Sequence, residues 1–368
     1  MKFSISRDAL LKPLNLVAGV VERRQTLPIL SNVLMVLEGD QLSLTGTDLE
    51  VELVGRVALA APVTAPGEVT VPARKLVDIC KSLPEGSDIQ FTVEDSKVTV
   101  RSGRSRFTLS TLPARDFPAV EEGVGTHQFT IKQGQLRRLI DRTAFAMAQQ
   151  DVRYYLNGML LELKAGRLRV VATDGHRLAM CTLASPVPVG EDTQVILPRK
   201  GVLELSRLLL EEDEDIVVVL GSNHLRATTE GFTFTSKLVD GKFPDYERVL
   251  PRAADKIVFG SRLDLRQAFT RTAILSNEKY RGVRLKVATE VIEIVANNPE
   301  QEQAEEQVSV DYQGDSVEIG FNVGYLLDVL GVLSGDQVKL SLSDPNSSAL
   351  LEESEDGDSL YVVMPMRL

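Results

Sequence analysis

A step of 126 or 124 residues recurs along this chain and constrains its architecture more than any other feature. Asp48 and Asp174 stand 126 positions apart, and Asp174 and Asn298 stand 124 apart. Each ends an apolar run (42–47, 168–173 and 292–296) with a polar pair, Thr-Asp, Thr-Asp or Asn-Asn. Other landmarks keep the step. Phe129 follows Phe3, Leu156-Asn157-Gly158 follows Leu30-Ser31-Asn32, Leu197-Pro198 follows Val71-Pro72, and Phe243-Pro244 follows Phe117-Pro118, all by 126. Gly282 follows Gly158 and Asn322 follows Pro198 by 124. A period this long is a whole domain, not a solenoid unit, and 368 residues have room for three.

Within a domain the order is strand, helix, three strands, read twice. Residues 3–6 form a strand, and Leu10, Leu14, Val17 and Val21 mark one helix face, with Ser6 or Asp8 as cap. Strands at 33–37, 42–47 and 51–58 follow, the first two joined by the hairpin signal Glu38-Gly39-Asp40. The second half runs from 69–71 through Pro72 into a helix bearing Leu76, Ile79, Cys80 and Leu83, then strands at 89–93, 97–101 and 106–109. The fold class is therefore α+β, two helices against antiparallel sheets in each of three repeated domains. Linkers at 118–126 and 251–256 divide the chain into 1–125, 126–253 and 254–368.

The formal net charge of −11 argues against coating nucleic acid by bulk positive charge. Basic residues nevertheless recur opposite the apolar stripes: Lys12, Arg23, Arg24, Arg74, Lys75 and Lys81, then Arg137, Arg138, Arg142, Arg199, Lys200 and Arg207, then Arg262, Arg266 and Arg271. Two readings stand, an ordinary solvated face and a discontinuous surface that tracks a phosphate backbone. The last helix departs from the pattern with Asp328. Arg101, Arg104 and Arg106 near the end of domain one contrast with Glu300, Glu302, Glu305 and Glu306 in domain three. That contrast is either plain surface or head-to-tail complementarity between copies, with Ile274 and Leu275 as its apolar part. Cys80 and Cys181 sit in apolar patterns as core thiols, and no signal peptide or membrane span is apparent, so a cytoplasmic protein is expected.

His176 beside Asp174 and Arg177 is the one cluster with a catalytic look. No nucleophile elbow, zinc motif, Walker loop or dinucleotide fingerprint accompanies it. Thr47 and Thr173 precede equivalent aspartates, as turn-forming side chains do. A hydrolase around Asp174 and His176 and a repeat-built adhesion protein remain the competing readings, and the expectation is no catalytic residue, metal or cofactor.

Residues 173–179 (Thr-Asp-Gly-His-Arg-Leu-Ala), residues 151–158 (Asp-Val-Arg-Tyr-Tyr-Leu-Asn-Gly), Phe243-Pro244-Asp245-Tyr246 and the terminal Met364-Pro365-Met366-Arg367-Leu368 resemble the bacterial DNA polymerase III beta subunits, the sliding-clamp family. The resemblance covers the whole chain. It implies two subunits closing head to tail into a six-domain ring that encircles duplex DNA and tethers the replicative polymerase. It also implies a pocket for short apolar peptides of the DNA polymerase III alpha subunit, the clamp loader, other polymerases, ligase and repair proteins. By the family's motif, the pocket residues would be Arg153, Tyr155, Leu156, Thr173, Gly175, His176, Arg177 and Leu178, then Pro244, Arg248 and Val249, then Ser348, Val362, Val363, Met364, Pro365, Met366 and Arg367. DNA contacts carry over to Arg24, Gln150 and Tyr154. The dimer interface is expected at Lys75, Arg104, Arg106, Ile274, Leu275, Glu300, Glu302, Glu305 and Glu306.

Overall fold

The computed structural model describes residues 1–21, 27–60, 65–120, 125–164, 166–183, 192–210, 213–251, 254–353 and 357–367. The elements follow the expected order without exception. The first repeat has β1 (Lys2–Ser6), α1 (Arg7–Ala18), β2 (Asn32–Glu38), β3 (Gln41–Thr47) and β4 (Val51–Ala58), then β5 (Gly67–Pro72), α2 (Ala73–Ser82), β6 (Asp88–Glu94), β7 (Lys97–Ser102) and β8 (Ser105–Ser110). The second has β9 (Gly125–Lys132), α3 (Gln133–Asp141), β10 (Gly158–Lys164), β11 (Arg167–Thr173) and β12 (Arg177–Leu183), then β13 (Thr193–Pro198), α4 (Arg199–Leu208), β14 (Asp215–Gly221), β15 (His224–Thr228) and β16 (Phe232–Lys237). The third has β17 (Lys256–Ser261), α5 (Arg262–Thr272), β18 (Gly282–Ala288), β19 (Val291–Asn297) and β20 (Gln303–Asp311), then β21 (Val317–Asn322), α6 (Val323–Val332), β22 (Gln337–Leu342), β23 (Ala349–Glu353) and β24 (Ser359–Val363).

Local chemistry sets these elements. Ser6 Oγ accepts the Ala9 N–H at 3.2 Å and starts α1, whose Leu10, Leu14 and Val17 are fully buried. Gly46 and Gly55 let that helix press onto β3 and β4, since a Cβ would lie 2.7 Å from Val17 and 3.0 Å from Pro13. Both cysteines are buried, which pushes each thiol up to about 11 and leaves little reactive thiolate.

The chain forms two compact units, 1–134 with 200–238, and 135–199 with 239–368. In the first, one sheet has the order β1-β6-β7-β8 and another the order β5-β2-β3-β4-β16-β15-β14-β9. In the second, a single sheet runs β13-β10-β11-β12-β24-β23-β22-β17-β20-β19-β18-β21. Each half-repeat's three strands are thus completed by the first strand of its sister half. Neighbouring repeats are joined by main-chain pairing, β4 with β16 (Val51 opposite Ser236) and β12 with β24 (Leu178 opposite Val362). Both predicted linkers fall partly outside the described residues.

Candidate functional site

The 126-residue step survives at the level of single hydrogen bonds. Thr47 Oγ1 donates to the Val51 carbonyl (2.9 Å) and accepts from Leu49 N–H (3.0 Å), while Asp48 Oδ1 accepts from Glu50 and Val51. Thr173 Oγ1 donates to the Arg177 carbonyl (2.6 Å) and accepts from Gly175 N–H (3.1 Å), while Asp174 Oδ1 accepts from His176 and Arg177. The Thr-Asp pairs are therefore turn-formers, and the second turn projects the rim of a cleft.

Strand alternation builds the floor of that cleft. Thr173 of β11, Leu178 of β12 and Val362 of β24 lie abreast on one face of the sheet. Phe243 and Tyr246, each 5% exposed, pack on the same face with Leu160, Val171, Met180 and Ile196. The result is a cleft of about 180 Å³ lined by Arg153, Leu156, Thr173, Gly175, Arg177, Leu178, Pro244, Asp245, Tyr246, Val249, Val362 and Met364. Apolar side chains dominate it, with arginine at the edge, which suits an apolar group attached to a polar chain.

Both rim arginines are held by the protein itself. Arg153 makes Nε and Nη2 bonds to Asp151 at 3.0 and 2.9 Å, and that hydrogen-bonded guanidinium brings the Asp151 carboxyl down to about 2. Asn157 braces Asp151 in turn, accepting its N–H and donating to its carbonyl. Arg177 bonds Asp174 (3.2 Å), the Phe145 carbonyl (2.8 Å) and Asp328, and its guanidinium lies over the Tyr325 ring at 4.4 Å. Asp328, the acid that breaks the basic pattern of the helices, is thus the counter-ion of Arg177. With its donors so committed, Arg177 shapes the cleft wall and ties it to α6.

Ten of the expected pocket residues come together here, and eight do not line the cleft. Tyr155 is half-buried and packs against the apolar cluster that includes Leu178 and Val362. His176 is exposed, and its carbonyl accepts the Met364 N–H at 2.9 Å. Arg248 is an exposed side chain paired with Asp245 at 2.7 Å. Val363 is fully buried on the opposite face of β24. Met366 N–H bonds the Gly320 carbonyl at 2.8 Å, which directs Pro365, Met366 and Arg367 along β21. Ser348 is half-buried just before β23. Asp245 and Tyr246 were missed, although both belong to the Phe-Pro-Asp-Tyr motif that marks this segment.

Among the expected DNA contacts, Gln150 (φ +58°) and Tyr154 (57% exposed) stand near Val152, which is 95% exposed. Arg24, like Arg23, lies outside the described residues. Of the interface candidates, Lys75, Arg104, Arg106, Glu300, Glu302 and Glu305 are exposed, Ile274 is 75% exposed, and Leu275 is half-buried. Glu306 is already engaged by Arg271.

Several of the basic residues opposite the apolar stripes are taken up by partners within the protein and do not form a solvated face. Arg142, 6% exposed, bonds Glu353 (2.8 Å) and Ser334 (2.7 Å) of the third repeat, and Arg138 pairs with Asp358 at 3.1 Å. Lys200 pairs with Asp48, and Arg207 donates to the Leu16 carbonyl at the end of α1 at 3.2 Å. Arg262 donates to the Gly335 and Leu330 carbonyls. These side chains fasten repeats and helices together, whereas Lys12, Arg74, Lys75, Lys81 and Arg266 remain as exposed cations.

Comparison with known proteins gives consistent matches along the whole length. Models of the DNA polymerase III beta subunit match with the N-terminal domain at 1–121, the central domain at 130–245 and the C-terminal domain at 247–367. The chain is 69% identical over 368 residues to the beta sliding clamp of Pseudomonas aeruginosa, with 100% of both covered. It is similar to the crystal structure of the DNA polymerase III subunit beta of that organism, at TM-score 0.98 and 68% identity, with 100% of both chains covered. A second P. aeruginosa sliding clamp structure, bound to griselimycin, matches at TM-score 0.97 and 69% identity, again over 100% of both chains.

Proposed function

The chain belongs to the DNA polymerase III beta subunit family, the sliding clamps, and from that premise we propose that it acts as a head-to-tail homodimer closed around duplex DNA. The ring of six repeats (1–125, 126–253 and 254–368 in each copy) tethers the polymerase by topology, so processivity rises while DNA affinity stays low. The protein then needs no catalysis of its own, and its workplace is the cytoplasm.

The observation that carries this reading is the arithmetic of strand edges. The last strand of one repeat's first half pairs with the last strand of the next repeat's second half, β4 with β16 and β12 with β24. Continued, the series asks β20 to pair with the corresponding strand of a following repeat. The remaining strand of that kind is β8, in a second copy. Among the described residues β8 is a sheet edge, and residues 303–309 of β20 pair on one side only, with β19. Stepping the β4–β16 register along the repeats brings Glu305 and Glu306 against the strand that carries Arg106, with Arg104 just before it. Opposite charges on two open edges favour this junction over self-pairing of either edge. Lys75, Ile274, Leu275, Glu300 and Glu302 are assigned to the same contact.

The cleft around Leu178, Val249, Val362 and Met364 serves as the docking site for short linear peptides of the DNA polymerase III alpha subunit, the clamp loader, other polymerases, ligase and repair proteins. The family relative bound to griselimycin supports a ligand site in this scaffold. DNA is touched without sequence preference by Arg24, Gln150 and Tyr154, an amide and an aromatic joining a cation on the backbone.

Retention on DNA tests the proposal. Protein loaded onto nicked circular duplex with a clamp loader and ATP stays on the circles in moderate salt and leaves when they are linearised. Equal retention on circles and linear duplex would mean ordinary electrostatic binding and defeat the ring.

A further inference from the structure

We propose that Tyr246 sets the depth of the peptide pocket and thereby selects the ligand side chain it admits. This rests on the peptide-site reading above and adds a residue and a specificity to it. β12 and β24 continue past the pocket with the same alternation. Leu178 and Val362 floor the pocket, and Met180 and Leu360, again abreast, floor a neighbouring cleft of about 360 Å³. Two strand residues separate the two floors, about 7 Å. The Tyr246 ring lines the pocket, while its hydroxyl meets Arg169, which lines the neighbouring cleft. Tyr246 therefore stands as the wall of the pocket on the side of the neighbouring cleft, reaching that cleft only through Arg169.

That wall is fixed from behind. The Tyr246 hydroxyl donates to Glu162 Oε1 at 2.8 Å and accepts from Arg169 Nη1 at 2.8 Å. Glu162 is only 3% exposed and also accepts from Gln194. Swinging the ring aside would break both hydrogen bonds of a buried hydroxyl and take one from a buried carboxylate, so a ligand meets a wall that resists displacement. Side chains of leucine size fit in front of it, and longer ones are turned away.

Two synthetic hexapeptides, identical except for a leucine or a biphenylalanine anchor, test this by fluorescence anisotropy on the full-length protein. The wild type should prefer the leucine peptide, and Tyr246→Ala should shift the ratio of the two affinities at least tenfold toward biphenylalanine. Tyr246→Phe, which keeps the ring and loses the tether, should shift the ratio in the same direction by less, two- to fivefold. An unchanged ratio in Tyr246→Ala overturns the proposal. If that variant melts too low to assay, Tyr246→Leu, too short to reach Arg169, is held to the same ratio. Val249→Asp, at an exposed wall position, separates the premise from the proposal. Loss of both peptides supports the pocket as their site, and undiminished binding of both overturns the peptide-site reading itself.

Discussion

Leu49 and Gly175 hold the same position in two copies of one turn, with φ of +78° and +88°. Leu49 bears the strain of a left-handed backbone with a side chain attached, whereas at Gly175 a Cβ would stand 3.0 Å from the Arg153 guanidinium. The glycine in the second copy relieves the backbone and makes room for the rim arginine. Gly175→Ala should cost about 1 kcal/mol in urea unfolding through the left-handed φ. It should also weaken peptide binding severalfold by displacing Arg153. Unchanged peptide titration curves would show that the arginine's seat is immaterial.

Glu353 makes the joint between the second and third repeats sensitive to acid. Burial raises its carboxyl, but the Ser334 N–H and the Arg142 guanidinium outweigh burial and bring it down to about 2. A depressed carboxylate contributes stability that is fully present above its ordinary value of 4.5 and is lost as pH falls toward 2. Glu353→Gln should therefore lower stability at pH 7 by roughly 3 kcal/mol, since it leaves Arg142 buried without its counter-charge. The difference from wild type should shrink between pH 4.5 and 2. Urea melts at pH 7, 4 and 3 measure it, and a difference constant across those pH values would contradict the linkage.

Asp328→Ala removes the acid on α6 that holds Arg177. Asp328 is half exposed, so the stability loss should stay below about 1 kcal/mol. The side chain of Arg177, released at one end, should cost peptide affinity three- to tenfold. Equal affinities with an unchanged melting temperature would mean that Asp174 and the Phe145 carbonyl suffice to hold the arginine.

Charge reversal on the two open edges probes assembly. Arg104→Glu with Arg106→Glu should shift the protein to monomer in sedimentation at micromolar concentration. Combining it with Glu302→Arg and Glu305→Arg should restore the dimer. Glu306→Gln should do less than either, because Arg271 already holds that carboxylate. A dimer that survives the first pair of substitutions would place the junction elsewhere.

The half-repeat order was legible because it rests on local signals: helical spacing in Leu10, Leu14 and Val17, alternation in the strands, and Thr-Asp turns whose hydrogen bonds stay inside five residues. The joining of β4 to β16 was not legible. Alternation says which face is buried but not which distant edge a strand will meet. The basic helices misled for a related reason, since periodicity shows that Arg142 and Lys200 lie on a helix but not that Glu353 and Asp48 stand opposite. At the site, the rim turn and the apolar floor were readable as motif and strand. Tyr246 was not, because its value comes from Glu162 and Arg169, about 80 residues away in sequence.

The pairing of β4 with β16 and of β12 with β24 has a consequence for how the molecule can be taken apart. A fragment cut at a repeat boundary would bare a full strand edge, the template on which chains aggregate. Each copy of the motif has its own helices and turns, yet its exposed hydrogen-bonding rim is covered by its neighbour. The span that was duplicated and the span whose strand edges are covered are therefore different lengths of chain.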